Sequence, residues 1–156
     1  MAIHRNQLLD AFKPSFKEHG FKKTGSNWHR DSSEIICVFN IQLSQWSERY
    51  YFNVGIWIKA LDSPVRPGFP GCHVGSGLPL QSDNRNFNAL ADFENGFADV
   101  TTRVLELEKI IVPEALTWFA THDSSEKIQY QLEHLRHPGI GIPLAVLRHF
   151  HLPEPT

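Results

Sequence analysis

Glu34-Ile35-Ile36-Cys37-Val38-Phe39-Asn40-Ile41-Gln42-Leu43-Ser44 is the stretch on which the fold turns. As a β-strand it puts Ile35, Cys37, Phe39, Ile41 and Leu43 on one face, and Ile36, Val38, Asn40, Gln42 and Ser44 on the other. Residues 50–59 alternate in the opposite phase. Phe52, Val54, Ile56 and Ile58 share an apolar face, while Tyr51, Asn53, Gly55 and Trp57 share the second. Antiparallel partners lie on the same face of a sheet, so merging the two apolar faces allows only alternate registers. One allowed register sets Gln42 opposite Asn53; another sets Asn40 opposite Asn53. In both, Asn40, Gln42 and Asn53 gather on the second face beside Trp57.

Working outward, residues 21–24 and 27–30 read as short strands around a tight Gly25-Ser26 turn, with Asp31-Ser32-Ser33 as the next turn. A three-residue loop there would put Trp28 on the amide face, and a two-residue loop would put it on the core face. Before the strands, Leu8, Leu9, Phe12 and Phe16 recur at helical spacing over residues 3–19. Pro14 is expected to kink or divide that helix, and Gly20 follows its last turn, where a left-handed residue is usual. After the strands, residues 61–86 are rich in Pro and Gly and read as a long irregular loop with a short strand near Cys72-His73-Val74. Residues 87–93 are expected to form a further short strand. A long helix is expected from Gly96 through Phe97, Val100, Val104, Leu107 and Ile111, with Pro113 kinking it or starting a new helix. Ser124 or Ser125 would cap another helix, running through Arg136. Pro138-Gly139-Ile140-Gly141 would break it, and Pro143 would open a last helix to Phe150. The fold class expected is α+β: one domain over 1–156, with an antiparallel meander of about five strands and helices packed on one face.

Composition narrows the function classes. Hydrophobic residues at 41% and charged residues at 21% suit a globular domain, and eleven Phe with four Trp can fill its core. A formal net charge of −2 favours neither nucleic acid nor an anionic membrane. No apolar run could span a bilayer, and the opening residues lack the apolar stretch of a signal peptide. Cys37 and Cys72 make no secreted disulfide framework, so the expected location is the cytoplasm.

No constellation of catalytic or metal-binding residues emerges, so no catalytic residue, metal or cofactor is expected. Among the nine histidines, His134 and His137 lie three apart and His149 and His151 two apart. Each pair supplies at most two of the ligands that a metal needs. Cys72 and His73 are adjacent, and in a strand they point to opposite faces. Lys13, Lys17, Lys22, Lys23 and Arg30 form a mildly basic region near Phe21 and Trp28, without a ribonucleoprotein motif. The candidate ligand- or partner-binding set is Asn40, Gln42, Asn53 and Trp57, with Trp28, Arg30 and His73. Amides in central strands are unfavourable unless something holds them. Either they bond to one another and fix register, or they form a recognition face with Trp57 supplying stacking area.

Pro14 late in the first helix, Gly20-Phe21-Lys22-Lys23, Trp28 with Arg30, Asn40-Ile41-Gln42, Phe52-Asn53-Val54-Gly55-Ile56, Cys72-His73, and Pro113 before Trp118-Phe119 occur in that order. This ordered set resembles a bacterial family catalogued as domain of unknown function 4304, over most of residues 8–120. The resemblance implies an α+β domain and a bacterial source, and it carries no activity. The expectation is therefore a non-catalytic protein-interaction module of the kind that neutralises a toxin or modulates a partner. That partner would be another protein, not nucleic acid or membrane. The alternative is a small-ligand binder or enzyme using the Asn40, Gln42 and Asn53 face.

Overall fold

Five antiparallel strands form an open meander, in a computed structural model that describes residues 3–80, 85–94, 99–134 and 142–154. The elements are α1 (Arg5–Glu18), β1 (Lys22–Thr24), β2 (Asn27–Asp31), β3 (Ile35–Leu43), β4 (Tyr50–Ile58), β5 (Val74–Leu78), α2 (Arg85–Ala91), α3 (Val100–Ala120), α4 (Ser125–Glu133) and α5 (Leu144–His149). The strands follow chain order across the sheet. Between β3 and β4, Asn40 pairs with Asn53 and Phe39 with Val54, which is one of the two registers expected. Between β2 and β3, the Ser32 N–H donates to the Ile35 carbonyl at 2.9 Å, leaving Ser33 and Glu34 as a two-residue loop. Trp28 therefore pairs with Phe39 on the core face.

One apolar core fills the space between that face and the helices. Leu8, Leu9, Phe12 and Phe16 of α1 meet Phe39 and Phe52 of the sheet, joined by Val104, Leu107, Ile111 and Phe119 of α3, Ile128 of α4 and Val146 of α5. Helix α1 ends in a left-handed residue, as expected. Gly20 has φ of 85°, its N–H donates to the Lys17 carbonyl, and the Phe21 N–H reaches back to the Phe16 carbonyl. This is a Schellman closure, completed by the Phe16–Phe21 ring contact at 5.4 Å.

Several sequence expectations need correction. Of the two outcomes expected at each proline, division is excluded: α1 runs through Pro14 and α3 through Pro113. Both prolines are exposed, and so are Asp10 and Lys109, whose carbonyls lose the helical bond. Water can satisfy those carbonyls, so each interruption costs little. Residues 87–93 do not form a strand. Phe87, Leu90 and Ala91 have helical spacing and bury one stripe of α2, and an isolated Arg49–Asp92 bridge follows it. Residues 61–86 hold the short strand expected near Cys72-His73-Val74, as β5 at Val74–Leu78, and also the start of α2, which was not expected. Ser124 caps α4 through the Lys127 N–H, but α4 stops at Glu133. The expected helix start at Gly96 and Phe97 lies outside the described residues, as do Arg136, His137 and the break at 138–141; α3 as described starts at Val100, capped by Asp99.

Candidate functional site

The second sheet face carries a row of amides built by strand register. Asn27 of β2, Asn40 of β3 and Asn53 of β4 stand directly opposite one another. Asn40 Nδ2 donates to Asn27 Oδ1 at 3.0 Å, and Asn53 Nδ2 donates to Asn40 Oδ1 at 3.0 Å. Asn53 Nδ2 also reaches Gln42 Oε1 at 3.4 Å, and Asn27 Oδ1 accepts from the Phe69 N–H at 3.1 Å. Asn40 and Asn53 are buried, while Gln42 is exposed. The row ends at Gly77, Asn53's partner on β5, where there is no side chain to continue it. Asn27 was absent from the candidate set, although it stands thirteen residues before Asn40, as Asn40 does before Asn53.

Beyond the amides, the chain between β4 and β5 folds back over this face. Ile36, Val38 and Trp57 form a second apolar cluster, covered by Phe69 and Cys72. The Trp57 Nε1–H donates to the Gly68 carbonyl at 2.9 Å, and His73 meets its ring edge-on at 5.2 Å. Gly55 makes this closure possible, because a Cβ there would lie 2.6 Å from Cys72 Sγ and 3.1 Å from Phe69. Trp57 is thus the floor under a loop instead of an open stacking surface.

The groups that could do chemistry on this face, and the Cys37 thiol on the core face, are held in unreactive forms. Burial pushes the Cys72 thiol up to about 12 and the Cys37 thiol up to about 11, so both are protonated at neutral pH, whereas a nucleophilic thiol needs the opposite shift. His73 Nδ1 accepts the Ile58 N–H at 2.8 Å, and burial lowers its pKa, so the ring is held neutral. Among the described residues, no three His, Cys, Asp or Glu side chains come together as a metal site.

The structure therefore brings together Asn40, Gln42, Asn53, Trp57 and His73 on one side of the sheet and separates Trp28 and Arg30 from them. Trp28 is 1% exposed in the core. Arg30 pairs with Cys37 on the core face, lies 4.7 Å over the Phe21 ring and donates to the His19 carbonyl at 3.0 Å. The two-residue β2–β3 loop causes this separation.

The amide row is expected to contribute to stability. Asn53→Ala should cost about 1–3 kcal/mol, because it leaves the buried Asn40 Oδ1 without its donor. Gln42→Ala should stay within about 0.5 kcal/mol, as usual for an exposed side chain. Denaturant melts of the two variants check the contrast; equal effects would contradict the burial difference.

This order of elements, with Gly20-Phe21-Lys22-Lys23 closing α1 and Asn40 and Asn53 in register on the sheet, is the frame on which the family comparison falls. The family model described as Domain of unknown function (DUF4304) matches residues 12–71. Over residues 12–71 the chain is similar to that family. In the fold, the DUF4304 segment runs from the middle of α1 through β4 and into the loop that covers Trp57. No curated protein and no solved structure matches the chain.

Proposed function

We propose that this protein is a non-catalytic interaction module of the bacterial cytoplasm, which binds and modulates another protein through the tip of the β3–β4 hairpin. The observation that carries this reading is Trp46, 91% exposed on the hairpin. Beside it in the chain, the Arg49 guanidinium lies 5.9 Å from the ring of Tyr51, which is 47% exposed. Trp, Tyr and Arg are the side chains that dominate protein-binding hot spots.

The base of the hairpin is fixed. Glu48 Oε1 accepts from the His4 N–H at 2.7 Å and from the Tyr50 hydroxyl at 3.0 Å, and the Phe93 N–H donates to the Glu48 carbonyl at 2.8 Å. A fixed base lowers the ordering cost of binding. Next to it, Arg49, Tyr51, Leu78, Pro79, Phe87 and Asn88 border a depression of about 280 Å³, large enough to seat one anchoring side chain of a partner. The small-ligand alternative draws less support, because the amides of the second face spend their hydrogen bonds on one another. The free thiols of Cys37 and Cys72 suit a reducing compartment, and no helix among the described residues is long and apolar enough to cross a membrane.

Photo-crosslinking from position 46 in the source cell should trap a specific protein. With that partner purified, Trp46→Ala should weaken binding at least about tenfold, with unchanged melting behaviour. A partner that binds the Trp46→Ala variant as tightly as the parent would overturn the hairpin assignment.

A further inference from the structure

At the β1 edge of the sheet, on a surface separate from the hairpin tip, lies an open groove of about 500 Å³ bordered by Lys13, Lys17, Phe21, Lys22, Lys23 and Trp28. Every polar side-chain group on that border is a hydrogen-bond donor. Four are ammonium groups; the fifth is the Trp28 indole, whose buried Nε1–H has no hydrogen-bond partner among the described residues. The Schellman turn at Gly20 creates the arrangement. It folds Lys22 and Lys23 back toward Lys13 and Lys17, which stand one helical turn apart on α1.

The distribution of lysines makes this groove unusual for a chain of net charge −2. The three lysines elsewhere are each ion-paired: Lys59 with Asp31, Lys109 with Glu106 and Lys127 with Asp123. None of the four around the groove reaches a carboxylate among the described residues. Among the described residues no carboxylate within ion-pairing distance offsets these four charges, although Lys23 Nζ lies 5.9 Å from the Trp28 ring, and an arriving anion would supply the missing partner.

We infer that this groove binds an acidic, extended segment of a partner protein. Lysine is a flexible point charge, suited to a run of carboxylates spread along a backbone and less so to a single small anion held in one geometry. RNA fits poorly, because it needs ring faces for base stacking and Phe21 and Trp28 are 3% and 1% exposed. Arg30, the nearby side chain able to fork a phosphate, is already held by Phe21 and the His19 carbonyl. Among the described residues, no exposed apolar side chain borders the groove to enter a membrane. The lysine stems and the edges of the buried rings supply apolar walls for the methylene groups of glutamate.

Fluorescence anisotropy with a short fluorescein-labelled peptide of Glu, Asp and Ser tests the assignment on the full chain. Saturable binding is expected, weakening as salt rises. The Lys13→Glu/Lys17→Glu/Lys23→Glu variant should lose at least about tenfold in affinity, because like charges then face the peptide. The Lys59→Glu/Lys109→Glu/Lys127→Glu variant makes the same change in net charge and should stay within about twofold of the parent, its lysines lying outside the groove. If the first variant fails to fold, glutamine at the same three positions carries the comparison. Absence of saturable binding, or equal weakening in both variants, would overturn the groove as a site. Tighter binding of a uridine-rich RNA or of anionic vesicles than of the peptide would overturn the acidic segment as its occupant. Trp46→Ala should leave peptide affinity unchanged, so the groove and the hairpin are tested separately.

Discussion

Phe16→Ala should destabilise the fold by about 3–5 kcal/mol, the range for truncating a fully buried phenylalanine. Phe16 is 0% exposed and sits where α1, the turn at Gly20-Phe21, β2 and β3 converge. Its ring stacks on Phe39 at 4.3 Å and contacts Phe21 at 5.4 Å and Trp28 at 5.7 Å. The variant would leave a void among rigid rings that cannot collapse into it, which is the condition for the upper part of the range. It would also remove the apolar contact that completes the Schellman closure, loosening the turn that places Lys22 and Lys23. A denaturant titration should show a lower midpoint with an unchanged slope. A loss below about 1 kcal/mol would mean that the ring stack contributes far less than its burial implies.

Arg103→Met should cost about as much, roughly 3–5 kcal/mol, for a polar reason. Arg103 belongs to α3, is 1% exposed, and its Nη1 donates to the Ala89 carbonyl at 2.9 Å and the Leu90 carbonyl at 3.3 Å. It also donates to the Asp92 carbonyl, and its guanidinium lies 5.3 Å from the Phe93 ring. These carbonyls close the C-terminal end of α2, so one side chain of α3 does the work of a helix cap. Methionine keeps most of the volume and removes every donor, which leaves these part-buried carbonyls without their partner. Melting should fall sharply, and amide exchange across 85–94 should rise before that of the sheet. Uniform exchange across the chain would show that Arg103 acts through the core as a whole instead of through α2.

The sheet was legible because its signal is periodic. Alternation in 34–44 and 50–59 restricted the register to alternate values, and the observed Asn40–Asn53 pairing is one of them. Helical spacing of Leu8, Leu9, Phe12 and Phe16 marked the buried face of α1 correctly. The misreadings arose where the deciding information is not local. Whether Trp28 faces the core depends on a single residue of loop length between β2 and β3. Burial of Trp57 depends on Gly68, Phe69 and Cys72, which return to it from across a loop that composition marks only as irregular. Asn27 could have been found by carrying the register one strand further, and Arg103 could not. A charged residue among apolar helix positions reads as surface until the carbonyls it caps are seen. The lysine groove lay between these extremes: its residues stood together in the sequence as a basic region, but their lack of ion partners needed coordinates.

The row formed by Asn27, Asn40 and Asn53 also bears on errors that the apolar faces cannot detect. Alternation penalises a slip by one residue, since every side chain then changes sides. A slip by two preserves both faces and costs the core much less. That slip would set Asn40 against Tyr51 or Gly55, so that its Oδ1 loses the Asn53 donor while its Nδ2 keeps Asn27. Apolar alternation thus acts as a parity check, while the amides give each strand an absolute address. Lengthening the β3–β4 hairpin at its tip should accordingly leave the rest of the sheet in place, because the address is written in the strands and not in the turn.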